Sequence, residues 1–568
     1  MTFGPETVGR QMNVRYIGEL RADDPSEWGS MVMAHSGMSA PNSTSLSFTP
    51  HTIWRHPRNV SQSCSSPDMA SKAPTLAEIT SLTRQELTTA RAADPIRACG
   101  RAAHSLLQSD PDTCLELAYQ KLHDVPYKEL RICWRRLYTD ASLWHVVRVV
   151  EARYEANYGA GTREGKDGEK GDWLDEVVKT LDMALILTGA PEREELVELW
   201  FLALKGTLPA CCAAKAKHRN DSERPAKRRR LSSCTQTPRL PSSFVATQPK
   251  PSPQLRYPIP RTPAISLAAF QTKLSNISTH TPVVMEGAID YWPALDERPW
   301  NDPAYLMTQT LGGRRLVPVE IGKSYTDDGW GQRIVAFREF METYMFRESI
   351  SGESDLPESD ESGLEGRGEG ARTLKQTGYL AQHDLFAQIP ALRADISIPD
   401  YCYCDPAPLP HLTHIMSTPE LEEPLLNAWF GPAGTVSPLH TDPYHNILAQ
   451  VVGYKYVRLY APSETEKLYP RSLDESGVDM SNTSQVDLDK AMAAWPETSC
   501  WCGIQEAGCD DDALQDHRKV FEAQFPNFKG ATYVEAILAP GECLYLPVGW
   551  WHYISSLTPS FSVSFWFN

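Results

Sequence analysis

The chain has 568 residues, a formal charge of −17 and 41% hydrophobic residues. It is too long for one ordinary core, so at least two folded units joined by linkers are expected. The acidic balance argues against coating DNA or an anionic membrane through bulk charge, and no run of about 18 apolar residues offers a membrane span.

Residues 1–73 are rich in Ser, Pro, Met and Asn without a sustained period, which predicts a disordered N-terminal segment. They lack the basic-then-apolar pattern of a secretory signal, and the 13 Cys follow no even spacing. Free thiols in a reducing, intracellular compartment are therefore expected. Helical spacing begins at TLAEITSL and runs to about residue 210, through Leu106, Leu107, Cys114, Leu115 and Ala118, then Trp144, Val147, Val150 and Tyr154. Gly189 and Gly206 read as C-caps of two helices. The expectation is an all-α domain over 74–210, broken by the polar stretch GAGTREGKDGEKGD.

Residues 211–257 form a basic, Pro-rich linker holding Lys215, Lys217, Arg219, Arg224, Lys227, Arg228, Arg229 and Arg230. Two basic clusters about ten residues apart suit a nuclear import signal read by an import receptor; a solvated linker is the plain alternative. From residue 258 the pattern is mixed α/β, interrupted near 350–372 by an acidic insert expected to be a disordered loop. From Asn427 onward NAWFGP, HNILAQVVGYKYVRLYAP, GECLYLPV and FSVSFWFN are short apolar or alternating runs bounded by Pro, Gly and Ser. The fold class expected is α+β, with a C-terminal cupin or jelly-roll double-stranded β-helix behind the all-α domain and disordered segments.

His440 and Asp442 stand two apart in SPLHTD, so on a strand both side chains point to one side. His552, in GWWHY, lies far along the chain, a separation that a barrel would close. Two imidazoles and one carboxylate on one face make the facial triad of non-haem Fe(II) oxygenases, although Mn, Co or Zn also accept such donors. His-x-Asp alone is a weak signal, but here an apolar β-run precedes it and a strand and aromatic group precede His552. Three protein ligands leave room for a 2-oxo acid and dioxygen. The distal carboxylate of such a co-substrate needs a cation in a dry interior, and Lys455 shares its strand face with Gly453 and Val457.

WFGPAGTVSPLHTDPYHNILAQVVGYKYVRLY and PVGWWHYISSLTPSFSVSFWFN closely resemble the jumonji-C family of Fe(II)/2-oxoglutarate oxygenases, and GYLAQHDLFAQIPALRADISIPDYC and VPVEIGKSYTDDGWGQ look like the same family's upstream segments. The resemblance covers about residues 258–568. It implies that His440, Asp442 and His552 are catalytic metal ligands. By the same resemblance Tyr379, Ser437, Asn446 and Lys455 hold 2-oxoglutarate, Trp566 closes that side of the barrel, and Glu320, Trp330 and Trp429 line the substrate channel. Thr441, Tyr444 and His445 depart from the family pattern, so a different channel rim is expected. Residues 464–530 are longer than the pattern and contain Cys500, Cys502, Cys509 and His517, whose irregular spacing favours a loop with free thiols over a zinc site.

The implied activity is oxidative hydroxylation of a protein side chain, arginine first, because a carboxylate beside indole faces suits a guanidinium. Histone methyl-lysine demethylation with the same ligands is the alternative. A catalytically silent cupin scaffold is a lesser one, and a metal-dependent protease or isomerase would have no use for Lys455. The expected partners are a protein or histone-tail substrate and dioxygen, with no direct nucleic acid and no membrane. The expected location is nuclear, with a cytoplasmic pool as the alternative.

Overall fold

A computed structural model describes residues 73–568 apart from 90, 126–128, 160–172, 209–239, 246, 248–252, 323, 327–328, 347–376, 409–418, 474–478 and 501–510. Nearly all of the N-terminal segment, the polar stretch after Gly159, both basic clusters and the acidic insert therefore lie outside the described residues.

The N-terminal helices are α1 (Leu76–Thr88), α2 (Arg101–Leu106), α3 (Pro111–His123), α4 (Ile132–Gly159), α5 (Trp173–Thr188) and α6 (Glu194–Thr207). Helix α1 starts with a capping box. The Thr75 hydroxyl accepts from the Glu78 amide at 3.3 Å, and the Glu78 carboxylate accepts from the Thr75 amide at 2.7 Å. Ala118, Leu137, Trp144, Val147, Leu181 and Trp200 fill the core between the helices. Leu106 and Tyr154, expected on the buried stripe, are exposed. Gly189 follows the end of α5 with φ +68°, the left-handed conformation of a C-cap. Gly206 does not cap: α6 runs through it to Thr207, because Trp200, Phe201 and Leu204 keep the helix seated to its last turn.

Thirteen strands follow among the described residues. They are β1 (Arg261–Pro263), β2 (Val283–Glu286), β3 (Leu316–Ile321), β4 (Gly331–Ala336), β5 (Gly378–His383), β6 (Leu425–Gly431) and β7 (Val436–Thr441). The remainder are β8 (His445–Val452), β9 (Lys455–Tyr460), β10 (Tyr533–Leu538), β11 (Glu542–Leu546), β12 (Trp551–Ser556) and β13 (Ser560–Phe567). Nine form one sheet in the order β1-β2-β11-β8-β13-β6-β5-β3-β4, and four form a second in the order β10-β9-β12-β7. Val284, Leu448, Val457, Leu459, Leu544 and Leu546 meet between the sheets as the barrel lining. The outer face of the large sheet packs Ala428, Phe430, Ile447, Val563 and Phe565 under the segments between β1 and β6. Both faces of β8 and β13 are therefore covered, which is why every residue in them is buried, the serines of β13 included. Between β8 and β9 the chain crosses from one sheet to the other at Gly453, whose φ is +75° and where a Cβ would stand 2.0 Å from the Pro559 carbonyl oxygen.

Two segments differ from expectation. Phe244, which the sequence places in the linker, is buried in the core under the large sheet, and its amide donates to the Asn301 carbonyl at 3.1 Å. The described part of 464–530 is a packed layer, not a loop. Its helices Leu488–Ala494 and Asp511–Gln524, with Trp495, Cys500, Phe521, Phe525 and Phe528, cover Tyr456, Tyr460, Trp551 and Tyr553 on the outer face of the small sheet. Cys500 is buried and His517 exposed, no ligand cluster gathers at either among the described residues, and Cys502 and Cys509 lie outside them. Among the described residues no helix is long and apolar enough to cross a membrane.

Helix α5 is tied to the strand that carries Glu320. Asp182 accepts from Arg315 Nη2 at 2.7 Å, from Gln388 Nε2 at 2.8 Å and from the Leu316 amide, where β3 begins, at 2.7 Å. The Arg315 guanidinium also lies 3.5 Å from the centre of the Phe201 ring. Both ion-pair partners are buried. Asp182→Ala is expected to destabilise the protein by about 3–5 kcal/mol, since it strands the Arg315 charge. Urea denaturation measures this, and a loss below about 1 kcal/mol would mean the pair is not what couples the units.

Candidate metal centre and active site

Strands β7 and β12 pair antiparallel with His440 directly opposite His552. Asp442 follows β7 by one residue. His440 Nε2 lies 3.7 Å from one Asp442 oxygen, and His552 Nε2 lies 3.6 Å from the other. All three ligand atoms lie within 4.8 Å of one another, and all three residues are buried. Each imidazole is oriented by its own backbone. The Nδ1–H of His440 donates to the Pro438 carbonyl at 2.6 Å, and that of His552 to the Trp550 carbonyl at 3.0 Å. This fixes the tautomer with a lone pair on Nε2, the usual outer support of a metal-binding His. Burial lowers both histidines to about 4, helped at His440 by the neighbouring His552, so both are neutral at pH 7. Burial raises the Asp442 carboxyl, opposed by His440, by the hydrogen bond from Asn446 and by the nearby Trp566 N–H. Two neutral imidazoles and a carboxylate, converging without another cation among them, fit a divalent ion with nitrogen and oxygen preference.

Deeper in the same barrel, Lys455 is 1% exposed and its Nζ donates to Tyr379 Oη at 3.1 Å. Burial lowers the ammonium to about 7. Burial also raises the Tyr379 phenol, and the Ser437 hydroxyl bonds to it, so Tyr379, Ser437 and Lys455 form one cluster. The Tyr379 ring reaches this place because Gly431 lies beneath it: a Cβ there would be 2.7 Å from the ring. Asn446 Nδ2 donates to Asp442 at 3.5 Å, and Asn446 Oδ1 is left without a partner, an acceptor free for a ligand. Trp566 pairs in register with Asn446 and packs 6.0 Å from the Tyr444 ring.

Glu320 on β3 lies opposite Tyr379 on β5. Burial raises its carboxyl to about 7 against hydrogen bonds from Trp330 and Gln332, the Trp330 N–H donating at 3.4 Å. Trp429 is half-buried, its ring 6.0 Å from that of Tyr379, and its N–H donates to Ser564 Oγ at 2.9 Å. The eleven residues singled out in the sequence thus converge: the metal triad, the Lys455 cluster behind it, and Glu320 with Trp330 and Trp429 alongside.

The rim expectation needs correction at His445. Its neighbour Asn446 takes the inward position on β8, so His445 turns outward. There its Nδ1 accepts from Tyr545 Oη at 3.0 Å and its ring packs 5.2 Å from His280. Tyr444 is buried and donates to the Pro419 carbonyl at 2.9 Å. The edge of β7 is built instead by residues 482–484. The Thr441 amide donates to the Asn482 carbonyl at 2.8 Å, and Thr483 bridges to His440. Sequence reasoning also missed Tyr325, whose buried phenol stands near Thr483, Glu320 and Asp442 and has no hydrogen-bond partner. It stands in an irregular loop with no period to mark it.

Comparison with known proteins agrees with this geometry. A family model described as a cupin-like domain matches residues 269–568. The chain is 32% identical to lysine-specific demethylase 8 of Danio rerio over 80% of its own length and 86% of that protein's. It is 32% identical to lysine-specific demethylase JMJ30 of Arabidopsis thaliana over 81% and 86%. It is 25% identical to the bifunctional peptidase and (3S)-lysyl hydroxylase JMJD7 of Homo sapiens over 51% and 78%. With its barrel and its buried His-Asp-His group, the chain belongs to the jumonji-C family of cupin-like Fe(II)/2-oxoglutarate oxygenases.

Proposed function

We propose that this protein hydroxylates a cationic side chain of a protein substrate, arginine first. In this reading His440, Asp442 and His552 hold Fe(II), and Tyr379, Ser437, Asn446 and Lys455 hold 2-oxoglutarate, with Trp566 closing that side. When bound, this pair supplies the oxidising power: the 2-oxo acid gives succinate and CO2, and one oxygen atom of dioxygen goes to a substrate C–H bond. The chain's own residues bind, orient and exclude water. Lys455 holds the distal carboxylate with Tyr379, the neutral histidines keep their lone pairs for the metal, and Trp429 and Trp566 shield the interior.

The observation that carries the choice of arginine is the desolvated Glu320 carboxyl beside Trp330. A guanidinium offers planar N–H donors to a carboxylate and stacks on indole. A trimethylated lysine has no N–H to give and would leave Glu320 unsatisfied. The relatives named lysine-specific demethylases favour the second reading, removal of a methyl group from lysine through hydroxylation of that methyl. Mass spectrometry of histone-tail and other basic peptides incubated with Fe(II), 2-oxoglutarate and dioxygen separates the two. Gain of one oxygen on Arg supports the proposal, and loss of a methylene from methyl-Lys supports the second reading. Succinate formation with neither product would count against both.

Glu320→Gln is expected to raise KM for an arginine peptide about tenfold to a hundredfold, the worth of a charge-assisted hydrogen bond. In the wild type the carboxyl is largely protonated below about 7 and must lose that proton to pair with a cation. KM should therefore fall as pH rises from 6 to 8 and level off above. An equally pH-dependent KM in the variant would remove Glu320 from this role.

The nuclear location and the import receptor belong to this proposal, resting on the basic clusters of 211–257. So does the division into a helical unit over 74–210 and a catalytic unit over 258–568, with the linker shortened at its far end by the docked Phe244.

A further inference from the structure

Among the described residues, the barrel interior holds an amide, unpaired at both ends, that the site described above does not use. Asn427 on β6 is fully buried, and neither its Nδ2 nor its Oδ1 has a hydrogen-bond partner. A buried amide unpaired at both ends forfeits its hydration for nothing, so native proteins keep one only where something else completes it. Ala428 and Phe430 belong to the outer core, which turns Asn427 and Trp429 to the barrel side. Asn427 pairs with Ser564 on β13, the serine that takes the Trp429 N–H. Two residues further along β13, Trp566 leans on Asp442. On the other flank, Trp429 faces Tyr379 and through it Lys455. Asn427 thus stands between the lysine end and the metal end of one pocket, one step nearer the metal than Trp429.

We propose that Asn427 is a further co-substrate-binding residue, whose amide N–H donates to the carboxylate of 2-oxoglutarate on the metal side while Lys455 takes the distal one. This rests on the reading that the barrel takes 2-oxoglutarate.

The test is calorimetric titration of the full chain, loaded with Mn(II) in place of iron, with 2-oxoglutarate. Wild type, Asn427→Leu and Asn427→Asp are compared, and each ligand-free protein is also melted. Asn427→Leu is expected to raise Kd about tenfold or more while its ligand-free melting temperature holds or rises, because the unmet amide groups are gone. Asn427→Asp should weaken binding further by setting a carboxylate against a carboxylate. Should Asn427→Leu fail to fold, Asn427→Ala is read in the same way. A wild-type Kd in a folded Leu or Ala variant overturns the assignment and leaves Asn427 with a buried water. If the wild type itself binds no 2-oxoglutarate, the broader reading falls and this one with it.

Discussion

His440→Ala is expected to abolish both metal retention and succinate release while the protein still folds. His440 supplies one of three donors, and the remaining pair, Asp442 and His552, 3.6 Å apart, holds an ion from one side only. Loss of an outer-shell partner of a metal ligand already costs about tenfold to a hundredfold in affinity or activity, so loss of a ligand itself should exceed that. The fold should survive because the cross-strand pairing of β7 with β12 is made by backbone, and because His440 is a neutral side chain whose Nδ1–H serves only its own Pro438 carbonyl. Metal analysis of the purified variant and succinate release give two readouts, with circular dichroism as the check on folding. Wild-type turnover with wild-type metal content in a folded variant would end the assignment of this centre.

What the sequence made visible follows from period and proximity. His440 and Asp442 are legible because a strand repeats every two residues, and Lys455 because it breaks an apolar run that covers both faces of its strand. The chain gave no local sign that His552 stands directly opposite His440; that register is a property of the closed sheet. Tyr325 was invisible for the same reason, since it enters the site from a loop through contacts with Thr483, far along the chain. Asn427 marks only the start of a strand in the sequence; its burial without a partner shows only in the folded barrel. The packed layer in the described part of 464–530 is hard to see in the sequence because its helices, Leu488–Ala494 and Asp511–Gln524, are separated by an irregular stretch with Pro and Cys. Their apolar stripe makes sense only against the tyrosines on the outer face of β9. His445 went the other way: its departure from the family pattern looked like a change of rim, yet alternation along β8 sends it to the outer layer.

Lys455→Met should raise the 2-oxoglutarate requirement by at least about thirtyfold and leave the ligand-free protein as stable or more stable. The first effect comes from deleting one partner of a buried charge pair, worth about 2–5 kcal/mol of binding. The second comes from the ammonium being a burden in the absence of an anion: burial lowers it to about 7 from an unfolded value near 10.5. Below pH 7 both states hold the proton and the folded state bears the whole cost of the buried charge. Between pH 7 and 10.5 the unfolded state binds more protons, so this group makes the ligand-free protein more stable as pH rises. A dicarboxylate bound beside Nζ reverses the preference and draws a proton back onto the lysine. Co-substrate binding near pH 8.5 should therefore take up part of a proton, seen as a buffer-dependent binding enthalpy in the wild type and absent in Lys455→Met. A structural lysine would instead lower stability when replaced and leave the 2-oxoglutarate requirement unmoved. Opposite signs in two independent measurements thus decide whether the cation is there for the fold or for the anion it receives.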